Sequence, residues 1–386
     1  MDHRRLSIGI AGLGAAGQAF MAALRRHEGF DWVALAEPDS DLRQRLQQDQ
    51  GVAGYASLAE LLGHAGLDAV CIATPTPLHA QQVLQAAAAG KHVLVEKPMA
   101  ATLDDARAMV AAVERAGVVL SVGHSHSYDA PISAMRGLIA SGEIGRVRMA
   151  HTWCFTDWTQ RPRRPDELDA GQGGGVTLRQ GSHQFDILRL LCGGLARSVR
   201  ARTFDWHPRR RVIGAHTVFI DFEGGAAATA VYNGYGGLSS VDLCFDISEW
   251  GLHQPAAQRP RRAAGQSPAE ELQAKQARAR GAIPPDAPFQ PFFGLTVVSC
   301  EGGDIRQSPT GLWVYSEAGV RELAVPLERS PRDLVLAEFH DAIRGRAPAL
   351  HDGRWGLANL EVCIAAMQSS ATGQEVRLNE QIAVRE

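Results

Sequence analysis

LSIGIAGLGAAG, residues 6–17, reads as a strand, a glycine-rich turn and the start of a helix. Residues 6–11 form an unbroken apolar run with two isoleucines, the mark of a strand buried on both faces, and a helical pattern runs from the last glycine to Arg26. Between them lies Gly12-Leu13-Gly14-Ala15-Ala16-Gly17, a GxGxxG. Gly12 permits the tight turn, Gly14 lets the backbone approach a pyrophosphate, and Gly17 lets the helix pack closely on the strand. The first amides of the helix, at Ala15 and Ala16, then bind the phosphates. A second strand at 32–36 ends in Glu37, 20 residues after Gly17. An acid there hydrogen-bonds a ribose 2′-hydroxyl and repels a 2′-phosphate, which favours NAD over NADP.

Outward from that stretch, helices and strands alternate. Helices at 42–48 and 58–62 and a strand at 69–73 lead to Thr74-Pro75-Thr76-Pro77, a turn that stops the strand. An alanine-rich helix at 78–89, a strand at 93–95, a helix at 103–116 and a strand at 118–122 complete the series. Such alternation implies right-handed βαβ crossovers and an α/β domain with a doubly wound parallel sheet over residues 1–125. Beyond Asp129 the texture changes. After a helix at 132–140, β-branched and aromatic runs follow at 146–155, 199–204, 217–222, 226–233 and 241–247, then a strand pair near Ile305 and Val314 and helices at 333–344 and 355–370. Residues 126–386 are expected to form a second α/β domain with a large, mostly antiparallel open sheet, one face under helices and the other available for subunit contact. Residues 253–291, rich in Pro, Gln, Arg and Ala with a helical pattern at 270–280, read as an insertion or a subunit arm.

With 386 residues, 45% hydrophobic and 21% charged, the chain has a soluble composition and room for two cores. A net charge of -3 gives no electrostatic case for nucleic acid or an anionic membrane. The six cysteines show no CxxC and no metal-ligand spacing, which argues for reduced thiols in a cytoplasm and against structural zinc. The basic-then-apolar N-terminus mimics a signal peptide, but its glycines fall at nucleotide-loop spacing, and no other apolar run is long enough to span a membrane.

KHVLVEKP, residues 91–98, delivers Glu96, Lys97 and Pro98 at the end of a parallel strand, the end that faces a ligand crevice. The chain has three lysines, Lys91, Lys97 and Lys275, the other 36 of its 39 basic residues being arginine. A lysine at position 97 is thus needed as a lysine, because an ammonium can lose its proton in a desolvated site. GGGVTLRQGSHQFDILRLL, residues 173–191, is a glycine-rich loop entering a helix, with Ser182 read as N-cap and His183 in the first turn. The positive end of the helix dipole disfavours imidazolium there and leaves a neutral base able to take an alcohol proton. FTDWTQRPRRPDEL, residues 155–168, sets Arg161, Arg163 and Arg164 among prolines, with Trp158 as an apolar or stacking wall. Arginine forks suit bidentate capture of carboxylates. The alternatives are a surface lysine, a packing histidine and a solvated arginine cluster.

GLGAAG, Glu37, ATPTPLH, GKHVLVEKP and GGG followed by GSHQFD together resemble the glucose-fructose oxidoreductase, inositol dehydrogenase and MocA family. The resemblance implies a Rossmann domain, then an α/β domain whose open sheet builds dimers or tetramers. It implies NAD contacts from the glycine loop and Glu37, from Thr74, Pro75 and His79, and from Glu96 and Lys97. The family's catalytic lysine falls on Lys97 and its catalytic histidine, the expected base, on His183. Its usual aspartate, four residues before that histidine, falls on Arg179, a departure that lowers the case for a polyol. VGHSHSYDAP, the run of arginines and YNGYG are similar to the phthalate dihydrodiol dehydrogenase branch. That similarity implies NAD-linked oxidation of cis-4,5-dihydro-4,5-dihydroxyphthalate to 4,5-dihydroxyphthalate, with Lys97 and His183 bracketing the diol carbon. His124, His126, Trp158, Arg161, Arg163, Arg164 and Arg179 would meet the substrate, and no metal is required. Three other readings remain open: a family hydrolase or lyase that uses held NAD for transient oxidation, a non-catalytic NAD-binding regulator, and a dehydrogenase of a sugar, inositol or another carboxylated ring compound.

Overall fold

The computed structural model describes residues 4–208, 210–256, 267, 270, 271, 273–275 and 287–385. Most of the expected insertion at 253–291, with its helical pattern at 270–280, lies outside the described residues. Two compact units are present. One takes in the described residues of Met1–His124, Ala274–Ala282 and Arg332–Leu357; the other takes in those of Ser125–Gln273, Ile283–Pro331 and Ala358–Glu386. No helix among the described residues is long and apolar enough to cross a membrane.

The first unit alternates β1 (Leu6–Ala11), α1 (Ala15–Leu24), β2 (Phe30–Ala36), α2 (Ser40–Gln50), β3 (Ala53–Tyr55), α3 (Leu58–Leu62), β4 (Ala69–Ile72), α4 (Thr76–Ala88), β5 (His92–Val95), α5 (Leu103–Ala116) and β6 (Leu120–Val122). The strands run parallel in the order β3-β2-β1-β4-β5-β6, so the direction of winding reverses between β1 and β4. In such a sheet the crevice outside that reversal takes the ligand. Ile8, Ile10, Val70, Ile72, Val93 and Leu94 are fully buried, as strands covered on both faces require. Side-chain caps set several helix starts. Asp39 accepts from the amides of Asp41 and Leu42, so α2 begins two residues before the apolar pattern does. Thr102 likewise caps α5. The expected turn through Pro77 ends sooner, because a proline in the first turn fits a helix and α4 starts at Thr76.

Arg332–Leu357 packs on this sheet although its sequence position suggests the other domain. Phe339 stacks on Phe30 at 5.9 Å, His340 meets the same ring edge-on at 5.3 Å, and Asp352 bridges Ser121 on β6.

The second unit is built on β7 (Val147–Phe155), β8 (Ala196–Phe204), β9 (Ala215–Phe222), β10 (Ala227–Asn233), β11 (Leu295–Cys300), β12 (Gly303–Ser308), β13 (Gly311–Ser316), β14 (Gly319–Ala324) and β15 (Val376–Arg377). They form one mixed sheet in the order β14-β13-β12-β11-β7-β10-β9-β8-β15, antiparallel except for β7 beside β10. Helices α6 (Ala130–Ala140), α7 (Val176–Arg179) and α8 (Gly181–Leu191) accompany it. Every residue of α8 is buried. Side chains alternate along the strands: Ala150, Thr152 and Cys154 of β7 are buried while Met149 and Trp153 are exposed, and on β9 Phe219 is exposed between buried Val218 and Ile220.

Two expectations fail here. The run at 241–247 is a short 3-10 turn at Ser240–Leu243, capped by Ser239, and Phe245 and Asp246 both take φ of 58°, which no strand allows. Its apolar residues Cys244 and Ile247 instead fill a local cluster with Phe292 and Leu295. Ser182 does not cap α8: the helix begins one residue before it, Gln180 occupies the cap position, and Ser182 is buried within the first turn.

Candidate active site

The glycine turn of the first unit has the shape that a dinucleotide needs. Gly12 sits at φ +86°, and a Cβ there would lie 2.8 Å from the Ala73 carbonyl oxygen. A Cβ on Gly17 would lie 2.0 Å from the Gly12 carbonyl oxygen, so α1 packs against the turn with no room for a methyl. Gly14 caps α1 and its missing side chain faces open space, with no protein atom within 4 Å. The amides of Ala15 and Ala16 open the helix beside that space. Glu37 follows β2. Its carboxylate accepts from the Leu13 amide at 3.0 Å and from the Asp39 amide at 3.2 Å, which fixes an acidic group beside the loop.

Behind this loop the end of β4 and the end of β5 are tied together. His79 is buried on α4, with Nε2 2.9 Å from the Thr74 carbonyl oxygen and Nδ1 3.0 Å from that of Pro98. The Thr74 hydroxyl donates to Gln82 at 2.5 Å. Lys97, half-buried, precedes Pro98 across a cis peptide bond. Glu96, like His79, has partners within the protein. Glu96 is buried, receives the Lys97 amide at 3.0 Å, and pairs with Arg332 at 2.6 Å; Arg332 also lies over the Phe20 ring at 4.5 Å. A buried carboxylate requires such a partner. Position 332 carries no local signal, since only the fold brings it to β5. His124 departs from expectation: it is buried in this unit, its ring 5.9 Å from His351, rather than open to a substrate.

In the second unit His183 and His126 come together. The rings meet edge to face at 4.5 Å, and Phe293 closes the group, stacked on His126 at 4.3 Å and edge-on to His183 at 4.9 Å. His126 Nδ1 lies 3.0 Å from Asp129 Oδ2. Burial raises the Asp129 carboxyl above its ordinary range, His126 opposes that shift, and the charge of Glu249 adds to it. Asp129 and Phe293 went unnoticed in the sequence, although an acid three residues after a histidine was legible in HSYD.

A second buried network anchors His183 from behind. Its neighbour Gln184 donates to Thr152 Oγ1 on β7 and to the Val231 carbonyl on β10, both at 3.0 Å. Gln184 Oε1 lies 3.0 Å from His216 Nε2, and His216 Nδ1 lies 3.1 Å from the Thr177 hydroxyl. Burial lowers His216 to about 3, so the ring is neutral: Nε2–H donates to Gln184 and Nδ1 accepts from Thr177.

The arginines at 161–164 are engaged within the protein. Arg161 holds Asp157 at 2.6 Å and approaches Glu249 at 3.7 Å; Arg164 grips Asp166 with two hydrogen bonds of 2.8 and 3.0 Å. That pairing takes up Nε and Nη2 of Arg164. Trp158 is not a ligand wall. It is fully buried, and Arg163 covers its ring at 4.1 Å while donating to its carbonyl. Arg163 and Arg179 share one carboxylate, Glu167 Oε1, at 3.5 and 3.4 Å. Burial brings Arg163 down to about 9, with Glu167 opposing and Arg161 and Arg179 reinforcing the shift, so it stays cationic at neutral pH.

Two family descriptions match this chain: the oxidoreductase family with an NAD-binding Rossmann fold over residues 6–124, and the GFO/IDH/MocA C-terminal domain over residues 132–238. The chain belongs to the Gfo/Idh/MocA oxidoreductase family. As a Gfo/Idh/MocA protein it is an NAD-dependent oxidoreductase. It is 39% identical over 300 residues to the 1-carboxy-3-chloro-3,4-dihydroxycyclohexa-1,5-diene dehydrogenase of Comamonas testosteroni, covering 75% of this chain and 76% of that one. A solved dehydrogenase from Bordetella bronchiseptica RB50 is 38% identical, with a TM-score of 0.89 over 97% of this chain and 100% of that chain. The WlbA dehydrogenase of Bordetella pertussis, solved with NADH and UDP-GlcNAcA, shares the fold at 20% identity and a TM-score of 0.73, over 98% of this chain and 99% of that one.

Proposed function

We propose that this protein oxidises a carboxylated cyclic cis-diol, taking cis-4,5-dihydro-4,5-dihydroxyphthalate to 4,5-dihydroxyphthalate in the breakdown of aromatic acids. The observation that carries this reading is the arginine knot on Glu167. Two guanidiniums, from Arg163 and Arg179, meet at one carboxylate, Glu167 Oε1, at 3.5 and 3.4 Å, and guanidinium forks gathered in this way are donors suited to a substrate carboxylate. A charge-assisted hydrogen bond of that kind contributes about 1.5–3 kcal/mol. The likeness to the Comamonas testosteroni enzyme, named for a carboxylated dihydroxycyclohexadiene, supports the same substrate class.

Bound NAD supplies the hydride acceptor. Lys97 polarises the hydroxyl that is oxidised, and the histidine cluster of His126 and His183 takes up its proton. Loss of hydride and proton gives a ring ketone that enolises to the catechol, so aromatisation favours oxidation. The exposed Met149, Trp153 and Phe219 on the open sheet face are the surface through which we expect copies of the chain to associate.

The test is the growth of the NADH absorbance band when protein and NAD meet the phthalate dihydrodiol, with the chlorinated monocarboxylate diol, myo-inositol and glucose in parallel. NADH from a carboxylated diol alone is the expected result. A preference for the monocarboxylate would select the second reading, a substrate like that named for the Comamonas enzyme. NADH from inositol or glucose alone would sink the carboxylate argument, and turnover without net NADH would favour the internal-redox class. With the true substrate, Lys97→Ala and His183→Ala should each cost more than about 10²-fold in kcat while NAD still binds.

A further inference from the structure

In sugar-oxidising relatives an aspartate is expected four residues before the catalytic histidine; here that position is Arg179, which pairs with Glu167 and cannot accept a proton. An acid is nevertheless present beside a histidine of the same cluster. Asp129 lies 3.0 Å from His126 Nδ1, and His126 in turn meets the His183 ring at 4.5 Å. We propose that His126, oriented by Asp129, is the group that takes the hydroxyl proton, with His183 holding its ring from the side. This rests on the reading of the protein as a dehydrogenase of a carboxylated diol.

Three features of the second unit support the assignment. First, an ionised Asp129 at Nδ1 would set the tautomer. A carboxylate at Nδ1 holds the proton on that nitrogen and leaves the Nε2 lone pair to the substrate, the arrangement by which an acid orients a catalytic imidazole. Second, the ring cannot turn away, because Phe293 stacks on it at 4.3 Å and His183 meets it at 81°. Third, access differs within the cluster: Asp129 and His183 are buried, whereas His126 is partly exposed. Asp129 also stands at the N-terminus of α6, where the helix dipole favours its charged form against burial. The charge of Glu249 also acts on Asp129, and Glu249 approaches Arg161 at 3.7 Å.

The step balances. The carbinol C–H bond would break with its electron pair passing as hydride to bound NAD; the O–H bond breaks, its pair forms the carbonyl, and the proton passes to His126 Nε2. Asp129 touches neither substrate nor cofactor and is a positioning residue.

Two measurements decide the matter. In the first, His126→Ala is assayed with the diol and NAD, with and without added imidazole, beside His183→Ala. The expected result is a fall of about 10²- to 10⁴-fold in kcat for His126→Ala, partly restored by imidazole, and no restoration for His183→Ala. A rate within about threefold of the parent, or a folded, slow variant that imidazole does not help, overturns the proposal. The second needs no activity: proton–nitrogen correlation spectra of the histidine rings, with His126→Gln to identify the signal. The expected spectrum shows the proton on Nδ1 of His126 and its redistribution in Asp129→Asn; a proton on Nε2 of the parent overturns the assignment. If the parent forms no NADH from either carboxylated diol, the substrate reading has failed, and the tautomer alone decides the pair.

Discussion

Replacing Gly14 and Gly17 singly by alanine separates cofactor binding from packing within one six-residue loop. At Gly14 the backbone lies at φ -69° and ψ -166°, open to any residue, and the added methyl meets no protein atom within 4 Å. Losing a glycine cap costs a few tenths of a kcal/mol to about 1, while the stiffer unfolded chain returns about 0.4–1, so stability should hold within about 1 kcal/mol. In a unit of this size that is a shift of about 2–4 °C in Tm. The methyl does fill the space assigned to the pyrophosphate. Losing one charge-assisted amide–phosphate bond, about 1.5–3 kcal/mol, weakens NAD by about 10- to 100-fold. At Gly17 the methyl would stand 2.0 Å from the Gly12 carbonyl oxygen. Packed atoms prefer about 3.5 Å, so turn and helix must part, at the usual overpacking cost of about 1–3 kcal/mol or more. Calorimetric titration with NAD and thermal unfolding read both effects. Gly14→Ala should keep its Tm and lose affinity; Gly17→Ala should lose both. A Gly14→Ala protein that binds NAD like the parent would refute the assignment of that space to the cofactor.

Other consequences can be measured directly. Arg332→Ala strands the buried Glu96 carboxylate and should destabilise by about 3 kcal/mol, the lower end for a broken buried pair because Arg332 is one-fifth exposed; urea unfolding checks this, and adding Glu96→Gln should recover part of the loss. His216 is held at about 3 against an ordinary 6.5, so the unfolded chain binds the proton first and stability falls as pH drops below 6.5. At pH 5, about 1.5 units lower, that amounts to ~2 kcal/mol; His216→Asn should flatten this part of the acid limb, and an unchanged slope would count against a neutral ring. Met149→Glu places a charge on the exposed sheet face and should lower the association state in sedimentation if copies pair there.

How much of this was legible in the sequence varies by residue. Local chemistry was enough for the first unit. GxGxxG, Glu37 and the alternation of short apolar strands with helices demand a parallel sheet, because each element carries its own periodicity and its own turn residues. The same holds for the alternating strands of the second sheet, though Leu295–Cys300 and Gly319–Ala324 passed unnoticed beside the turn-rich segments that flank them. The run at 241–247 misled because β-branched and aromatic composition reports burial as well as strand. The features fixed only by tertiary structure concern polar groups and their partners. Glu96 finds Arg332, more than 200 residues away in sequence, Gln184 and His216 bridge α8 to β7 and β10, and the arginines at 161–164 meet acids that neutralise most of them. Sequence shows that a histidine or an arginine is present. Whether it faces a ligand or satisfies a buried carboxylate depends on which groups the fold desolvates together, since each buried charge must be paired where it lies.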